Sequence, residues 1–146
     1  MKLNIKKFDE LSNKELYEIL KLRSRVFVVE QKCSYVDMDG IDEYAYHIYF
    51  TNGDEIIAYL RLFSLDKTKN TAKIGRVISA NRRSGVGTLL LKEGIKAAKE
   101  VLKANKLIVE AQSYVKEFYA KQGFIEVSDE FLDVGIPHVK MELPLL

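Results

Sequence analysis

Cysteine and proline are scarce in this chain of 146 residues, which contains one cysteine and two prolines. The single cysteine, Cys33, excludes a disulfide framework within the chain and suits a reducing, intracellular compartment. The sequence also lacks a segment rich in serine and glycine, an internal repeat or a low-complexity tract that would mark a linker. We therefore expect a single domain over residues 1–146, which is long enough to bury a hydrophobic core.

Excess charge and long apolar runs are lacking as well. The formal net charge is only +2, so charge does not call for a nucleic-acid partner. No apolar run approaches the roughly 20 residues that span a bilayer, and the initial MKLNIKKFDE has no apolar signal core. We expect a cytoplasmic protein that binds neither nucleic acid nor a membrane.

The first clear element is a helix over residues 13–29. Ser12 followed by Glu15 is typical of a capping box, and apolar residues follow at helical spacing. Arg23 interrupts the apolar face. It lies either at the edge of that face or buried against a carboxylate, and the edge position is the commoner one for arginine.

Alternating apolar runs predict strands in most of the remaining sequence. Asn52-Gly53 joins two such runs within residues 45–63 as a hairpin. Gly75, inside the next strand, marks either a bulge or the close approach of a ligand. The other predicted elements are strands at 2–8, 71–79, 107–112, 124–127 and 138–143 and helices at 86–105 and 113–122. This order predicts an α/β layered domain whose sheet has mixed strand directions.

Four acidic residues lie close together before the hairpin: Asp37, Asp39, Asp42 and Glu43. Their spacing excludes an EF-hand, and we expect no bound metal ion. Such a cluster is usually a solvated loop. The alternative is an acidic rim that attracts a cationic substrate.

A glycine-containing loop, Arg82-x-x-Gly85-x-Gly87, connects the strand at 71–79 to the next helix. Backbone N–H groups at a helix start and the positive end of the helix dipole suit a phosphate or pyrophosphate. The sequence after Gly87 lacks the lysine of a Walker loop, and only part of a Rossmann fingerprint is present. The loop therefore holds phosphates or is a plain strand-to-helix turn.

Tyr119, in Phe118-Tyr119-x-x-x-Gly123-Phe124, follows this loop at a spacing that resembles the Gcn5-related N-acetyltransferase (GNAT) superfamily. The resemblance covers nearly the whole chain. Four further stretches resemble the ElaA-type branch: Phe27 to Gln31, Asp37 to Gly40, Gly75 to Ile78, and Gly135 to His138. The resemblance implies a mostly antiparallel sheet with splayed central parallel strands and helices on both faces.

The resemblance also implies acetyl-CoA as co-substrate, bound between the strand that ends at Ser79 and the strand that ends at Gln112. The backbone of the first strand would pair with the pantetheine arm, and the glycine loop would hold the pyrophosphate. The implied cofactor-binding residues are Val77, Ile78, Ser79, Arg82, Arg83, Ser84, Gly85, Val86, Gly87, Thr88 and Gln112.

Acetyl transfer to an amine requires a base, because a free alkylamine has a pKa near ~10.4 and is protonated at neutral pH. His138 is the first candidate, since an imidazole with a free pKa of ~6.5 suits proton removal and a related branch has Pro-His at the matching place. Glu30 is the rival base, and Glu110 is a third. The backbone N–H of Val77 would stabilise the oxyanion.

Tyr119 is the family's usual acid near the sulfur. Complete proton transfer from a free phenol, with a pKa of ~10, to the thiolate of a thiol with a pKa of ~8.5 is unfavourable in free energy. A hydrogen bond donated as charge builds is easier, and a pocket that lowers the pKa of Tyr119 would help.

The acceptor is less well defined by the sequence. We expect the acceptor to be the primary amine of a small molecule. One alternative is transfer to a protein lysine or N-terminus. The other is a non-catalytic module that only binds acyl-CoA. The acidic loop favours a cationic acceptor, whereas Arg23, Arg61 and Arg76 could bind a carboxylate. The superfamily also makes a homodimer possible.

Overall fold

The computed structural model describes residues 1–79 and 84–145, which form an eight-stranded sheet with helices on both faces. The strands are β1 Lys2–Lys7, β2 Tyr46–Asn52, β3 Glu55–Asp66, β4 Thr71–Ser79, β5 Lys106–Gln112, β6 Ile125–Glu126, β7 Phe131–Asp133 and β8 Ile136–Pro144. The α-helices are α1 Asn13–Arg23, α2 Val86–Glu100 and α3 Lys116–Ala120, a π-helix spans Ser24–Glu30, and 3-10 turns span Phe8–Glu10, Asp42–Tyr44 and Ser113–Val115.

The strand order is β1-β2-β3-β4-β5-β8-β6, with β7 paired to β8. Among these pairs only β4 and β5 are parallel, and the others are antiparallel. This arrangement confirms the predicted fold class. The parallel pairing covers only Thr71↔Lys106, Ala72↔Leu107 and Lys73↔Ile108. Beyond Lys73 the two strands run apart, so the sheet opens at its centre.

The two faces of the sheet carry separate cores. On one face α2 and α3 pack over the central strands, with Leu60 of β3, Leu90 of α2 and Leu107 of β5 fully buried. On the other face Ile19 of α1 packs against Tyr59 of β3. Helices on both sides of the sheet explain why β3 is apolar on both of its faces.

The first helix begins as predicted and ends differently. Ser12 Oγ accepts the Glu15 N–H, and the Glu15 carboxylate accepts the Ser12 N–H, which is the capping box. The regular α-helix stops at Arg23 and continues as the π-helix to Glu30, where a continuous α-helix to about residue 29 was expected. One-turn π segments inside helices are frequent at functional sites.

Three other expectations are wrong in detail. Helix α2 ends at Glu100 rather than near residue 105. Ser113 does not cap a helix, because its hydroxyl donates to Glu130 and it begins a 3-10 turn before the short α3. The short strand β7 was not predicted, although the turn of Val134 and Gly135 that follows it carries a glycine signal. Within the described residues, no helix is long and apolar enough to cross a membrane.

Candidate active site

A cleft of about 970 Å³ opens where β4 and β5 separate. One wall is β4 from Lys73 to Ser79, and the other is the end of β5, including Gln112. The π-helix, the loop after it, the start of α2 and the turn between β7 and β8 complete the lining. An open cleft at diverging parallel strands is a natural ligand site, because backbone groups there lack a neighbouring strand.

A β-bulge interrupts β4 inside this cleft. Arg61 pairs with Gly75 and Tyr59 pairs with Ile78, so two residues of β4, Arg76 and Val77, lie opposite Leu60 alone. Gly75 therefore does precede a bulge, one of the two outcomes predicted for it. A bulge turns the strand and leaves an unpaired residue, so it changes the direction of the backbone groups near Val77.

The start of α2 forms the far end of the cleft. Gly85 caps the helix in the left-handed conformation with φ 79°, which favours glycine. Gly85, Gly87 and Thr88 line the cleft, and the first N–H groups of a helix lack intrahelical partners. The predicted contacts of Arg82 and Arg83 lie outside the described residues. The described part of the loop thus presents a helix N-terminus to the cleft, and a helix N-terminus is a site that binds anionic groups such as phosphate.

Gly87 allows α2 to approach β4 closely. An added Cβ would lie 3.3 Å from the Ser79 Cβ and 3.6 Å from Phe118 Cε1. We expect Gly87→Ala to push the helix start away from Ser79 and to raise the Kd for CoA about tenfold, which corresponds to about 1.4 kcal/mol. Isothermal titration with CoA measures this change.

Gly94→Ala is the matched control in the same helix. Its Cβ would lie 3.0 Å from the terminal methyls of Ile74 and Leu60, deep in the core rather than at the helix start. We expect Gly94→Ala to alter the melting temperature and to leave the Kd for CoA within about twofold. Equal losses of affinity in both variants would show that the start of α2 has no special role.

Tyr119 lies in α3 and lines the cleft with only 7% of its surface exposed. Its ring packs edge-to-face against Phe118 and Phe124. The Tyr119 hydroxyl has no hydrogen-bond partner among the described residues. In that part of the chain, Arg61 Nε is the one fully enclosed side-chain nitrogen or oxygen without a partner. The Tyr119 hydroxyl is therefore not fully enclosed, and it keeps contact with the cleft.

Burial raises the pKa of Tyr119 above its ordinary value. The pocket therefore does not give the help that a lowered pKa would supply, because the low-polarity surroundings disfavour the phenolate. A phenol that stays protonated at neutral pH can donate a hydrogen bond but holds its proton firmly.

His138 lies near the start of β8 and lines the same cleft, with 7% of its surface exposed. It is the strand partner of Gln112, at the end of β5. Its Nδ1 lies 2.7 Å from the Ile136 carbonyl oxygen, and its ring stacks on Phe131. Because a carbonyl only accepts, Nδ1 carries the hydrogen, so Nε2 of the neutral ring has a free lone pair.

The two rival bases also reach the cleft. Glu30 is exposed at the end of the π-helix and has no ion pair or hydrogen bond among the described residues. Glu110 of β5 pairs with Lys73 Nζ at 3.1 Å, close to the point where the strands separate. The structure therefore brings all three candidate bases to one cleft. Of these, the Glu110 carboxylate is already engaged in an ion pair with Lys73.

The acidic loop differs most from the prediction. Asp37 and Asp42 are buried, and their carboxylates bind Arg23, which is completely buried, at 2.9 and 2.6 Å. The expected edge position of Arg23 is therefore wrong. The loop is not simply solvated, because arginines of the chain pair with Asp37, Asp39 and Asp42 and neutralise them. Glu43, the fourth acidic residue, is exposed. Burial opposes ionisation of Asp39, but the hydrogen bonds from Arg61 outweigh it and lower the pKa of Asp39 to about 2.

The three arginines that were expected to bind a carboxylate bind carboxylates of the chain itself. Arg61 pairs with Asp39 and Asp42. Arg76 pairs with Asp37 at 2.7 Å. These pairs fasten the loop of residues 31–44 to the sheet beside the cleft. The sequence did not predict this role. The match in number between these three arginines and the three aspartates of the acidic loop was a signal that the two sets pair with each other.

The fold and cleft together are those of an acyltransferase with a splayed parallel strand pair and a helix N-terminus at one end of the slot. The chain matches the acetyltransferase (GNAT) domain family over residues 8–145 and belongs to that family.

Its relatives fall in the ElaA-like branch. Protein ElaA of Escherichia coli is 38% identical over 136 residues, covering 90% of this chain and 89% of ElaA. A UPF0039 protein of Schizosaccharomyces pombe is 38% identical over 144 residues, covering 96% of this chain and 95% of that protein.

Solved structures agree with the sequence relatives. The crystal structure of Escherichia coli ElaA has a TM-score of 0.89 at 34% identity and covers 97% of both chains. An acyl-CoA N-acyltransferase from Pseudomonas aeruginosa has the same TM-score and identity, covering 97% of this chain and 99% of that one. These matches confirm the predicted superfamily and branch.

Proposed function

We propose that the protein transfers an acetyl group from acetyl-CoA to the primary amine of a small molecule by direct attack in a ternary complex. The observation that carries this proposal is the cleft between β4 and β5, which brings Tyr119, His138 and the start of α2 to one space. A cytoplasmic location suits such an enzyme and its single cysteine.

Acetyl-CoA would lie along the opened side of β4. The backbone of Val77, Ile78 and Ser79 would pair with the pantetheine arm, because β4 has no neighbouring strand there. The pyrophosphate would lie at the start of α2, held by the N–H groups of the glycine loop and by charge from Arg82 and Arg83. Gln112 would border the thioester from β5.

The chemistry then follows from the side chains that face the thioester. His138 Nε2 takes a proton from the ammonium form of the acceptor, and the freed nitrogen lone pair attacks the acetyl carbonyl carbon. The Val77 N–H donates to the oxyanion that forms. When the tetrahedral intermediate collapses, the C–S bond breaks and the amine nitrogen gives its second proton to water in the cleft, because Nε2 already carries the first. The CoA sulfur leaves with the electron pair.

Tyr119 would donate a hydrogen bond to this developing thiolate. The raised pKa of Tyr119 argues for donation without complete proton transfer. The leaving group would then reach solvent as a thiolate or take its proton from water.

A small acceptor is favoured over a protein chain because two segments of the protein meet beside the cleft and enclose the place where the acceptor would bind. The ion pairs of Asp37 and Asp39 hold the loop after the π-helix against β3 and β4. Cys33 Sγ of that loop lies 3.5 Å from the Val134 carbonyl oxygen in the turn between β7 and β8. The two segments therefore meet beside the cleft and leave less room for an extended peptide.

Tyr119→Phe tests the proposal because it removes one oxygen from a ring that is otherwise held by packing. We expect kcat with acetyl-CoA and a responsive amine to fall about tenfold or more, while the Kd for CoA stays within about threefold. CoA release over a panel of small amines measures kcat, and calorimetry measures the Kd. Full activity of Tyr119→Phe would refute the role of the hydroxyl. A wild-type protein that binds CoA but acetylates no amine in the panel would refute the transfer reaction.

A further inference from the structure

Arg76 has an unusual backbone conformation inside the cleft. Its φ is 53°, a left-handed value that is costly for a residue with a side chain. It is one of the two residues in the β4 bulge, and it immediately precedes Val77. Strain of this kind persists only where the surroundings hold the residue in place, so the contacts of its side chain are informative.

The Arg76 guanidinium is held from several directions. Its Nε donates to Asp37 Oδ1 at 2.7 Å, and its Nη2 donates to the Asp37 carbonyl oxygen at 3.0 Å. The guanidinium carbon also lies 6.0 Å from the Phe27 ring centroid and 5.9 Å from the Tyr35 ring centroid. Two hydrogen bonds from one planar guanidinium to a side-chain and a backbone oxygen of the same residue are a geometry that lysine cannot reproduce.

The anchor of this side chain is rigid. Asp37 is buried, and its other carboxylate oxygen accepts from Arg23 Nε at 2.9 Å. Arg23 is completely buried and also binds Asp42. The Arg76 side chain therefore connects the strained bulge to a fixed point in the loop of residues 31–44.

We propose that Arg76 is a positioning residue whose tether to Asp37 holds the β4 bulge in the conformation that presents the Val77 N–H to the thioester carbonyl. This inference rests on the proposed function, because it names the part of the fold that aims the oxyanion donor. Arg76 does not touch the reacting atoms. Its effect passes through the backbone between residues 76 and 77.

Two substitutions separate the tether from the backbone strain. Arg76→Lys retains the positive charge beside Asp37 and loses the two-point hydrogen bond. Arg76→Gly accepts a φ of 53° without strain and loses the side chain completely. Lys6→Met is the control, because it breaks the Lys6–Glu15 ion pair of 2.6 Å between β1 and α1, outside the cleft.

We expect both Arg76 variants to lower kcat about 10- to 100-fold, since misplacing one oxyanion donor approaches the effect of removing it. The Kd for CoA, which has no acetyl carbonyl, stays within about threefold. The infrared stretch of the carbonyl in bound [1-13C]acetyl-CoA moves toward its frequency in free acetyl-CoA. Lys6→Met keeps the wild-type kcat and carbonyl frequency.

The infrared measurement distinguishes this inference from the proposed function. A wild-type protein that shifts the bound carbonyl but transfers no acetyl group would refute the transfer reaction, and loss of the shift in Arg76→Lys would still support positioning. The wild-type carbonyl frequency in both folded Arg76 variants would overturn the inference. If Arg76→Lys does not fold, Arg76→Gly, which relieves the strained φ, gives the same readout.

Discussion

Replacement of Arg23 with methionine is expected to lower the free energy of unfolding by about 3–5 kcal/mol. The guanidinium is completely buried and binds Asp37 and Asp42 at 2.9 and 2.6 Å. Removing one partner of a buried ion pair leaves an uncompensated charge in the interior, which costs more than the pair contributes. Urea unfolding followed by circular dichroism measures the change.

Lys106→Met provides the comparison, because Lys106 pairs with Glu142 at 3.4 Å in a partly exposed position at the surface. Exposed ion pairs contribute about 0–1 kcal/mol, so this variant should unfold close to the wild-type midpoint. Similar midpoints for both variants would show that the Arg23 network does not hold the loop.

The charged partners, acting against burial, decide how Arg23 and Asp42 are charged. Burial alone would lower the pKa of Arg23, but the groups around it, including the carboxylates of Asp42 and Asp37, outweigh this effect and raise that pKa. Burial likewise opposes ionisation of Asp42, but the hydrogen bonds from Arg23 and Arg61 lower its pKa. Arg23 and Asp42 are therefore both held in their charged forms.

His138→Ala is expected to reduce kcat by about 10²- to 10⁴-fold, the usual contribution of a general base. The Nδ1–H bond to the Ile136 carbonyl fixes the ring so that Nε2 is the atom left to accept a proton. At neutral pH and saturating amine, added imidazole should restore part of the rate of the variant in the space left beside Phe131 and should leave the wild-type rate unchanged.

Glu30→Gln tests whether Glu30, rather than His138, is the base. If the glutamate acts as the base, Glu30→Gln lowers kcat about 10²- to 10⁴-fold while His138→Ala keeps a rate near that of the wild type. That pattern would refute the assignment of His138 as the base.

Local signals predicted those parts of the fold that depend on neighbouring residues. The capping box at Ser12 and the Asn52-Gly53 hairpin are set by hydrogen bonds and turn geometry over a few residues, and both form as expected. The apolar strand near residue 110 was also correct to within one residue. The family resemblance supplied the splayed strand pair, which no local pattern specifies.

Contacts between distant residues were not predictable in this way. Whether Arg23 lies at a helix edge or in the interior depends on Asp37 and Asp42, and these reach it only when the loop folds back over the sheet. The buried His47 ring likewise reaches both Tyr59 and the Asp42 carbonyl oxygen only in the folded chain.

A crystal structure of the protein with acetyl-CoA tests the central claim most directly. The account predicts the pantetheine arm along Val77 to Ser79, the pyrophosphate at the start of α2, and the thioester carbonyl within hydrogen-bond distance of the Val77 N–H. It also predicts the sulfur near the Tyr119 hydroxyl. Acetyl-CoA bound outside the slot between β4 and β5, or a slot that stays empty at saturating cofactor, would contradict the account.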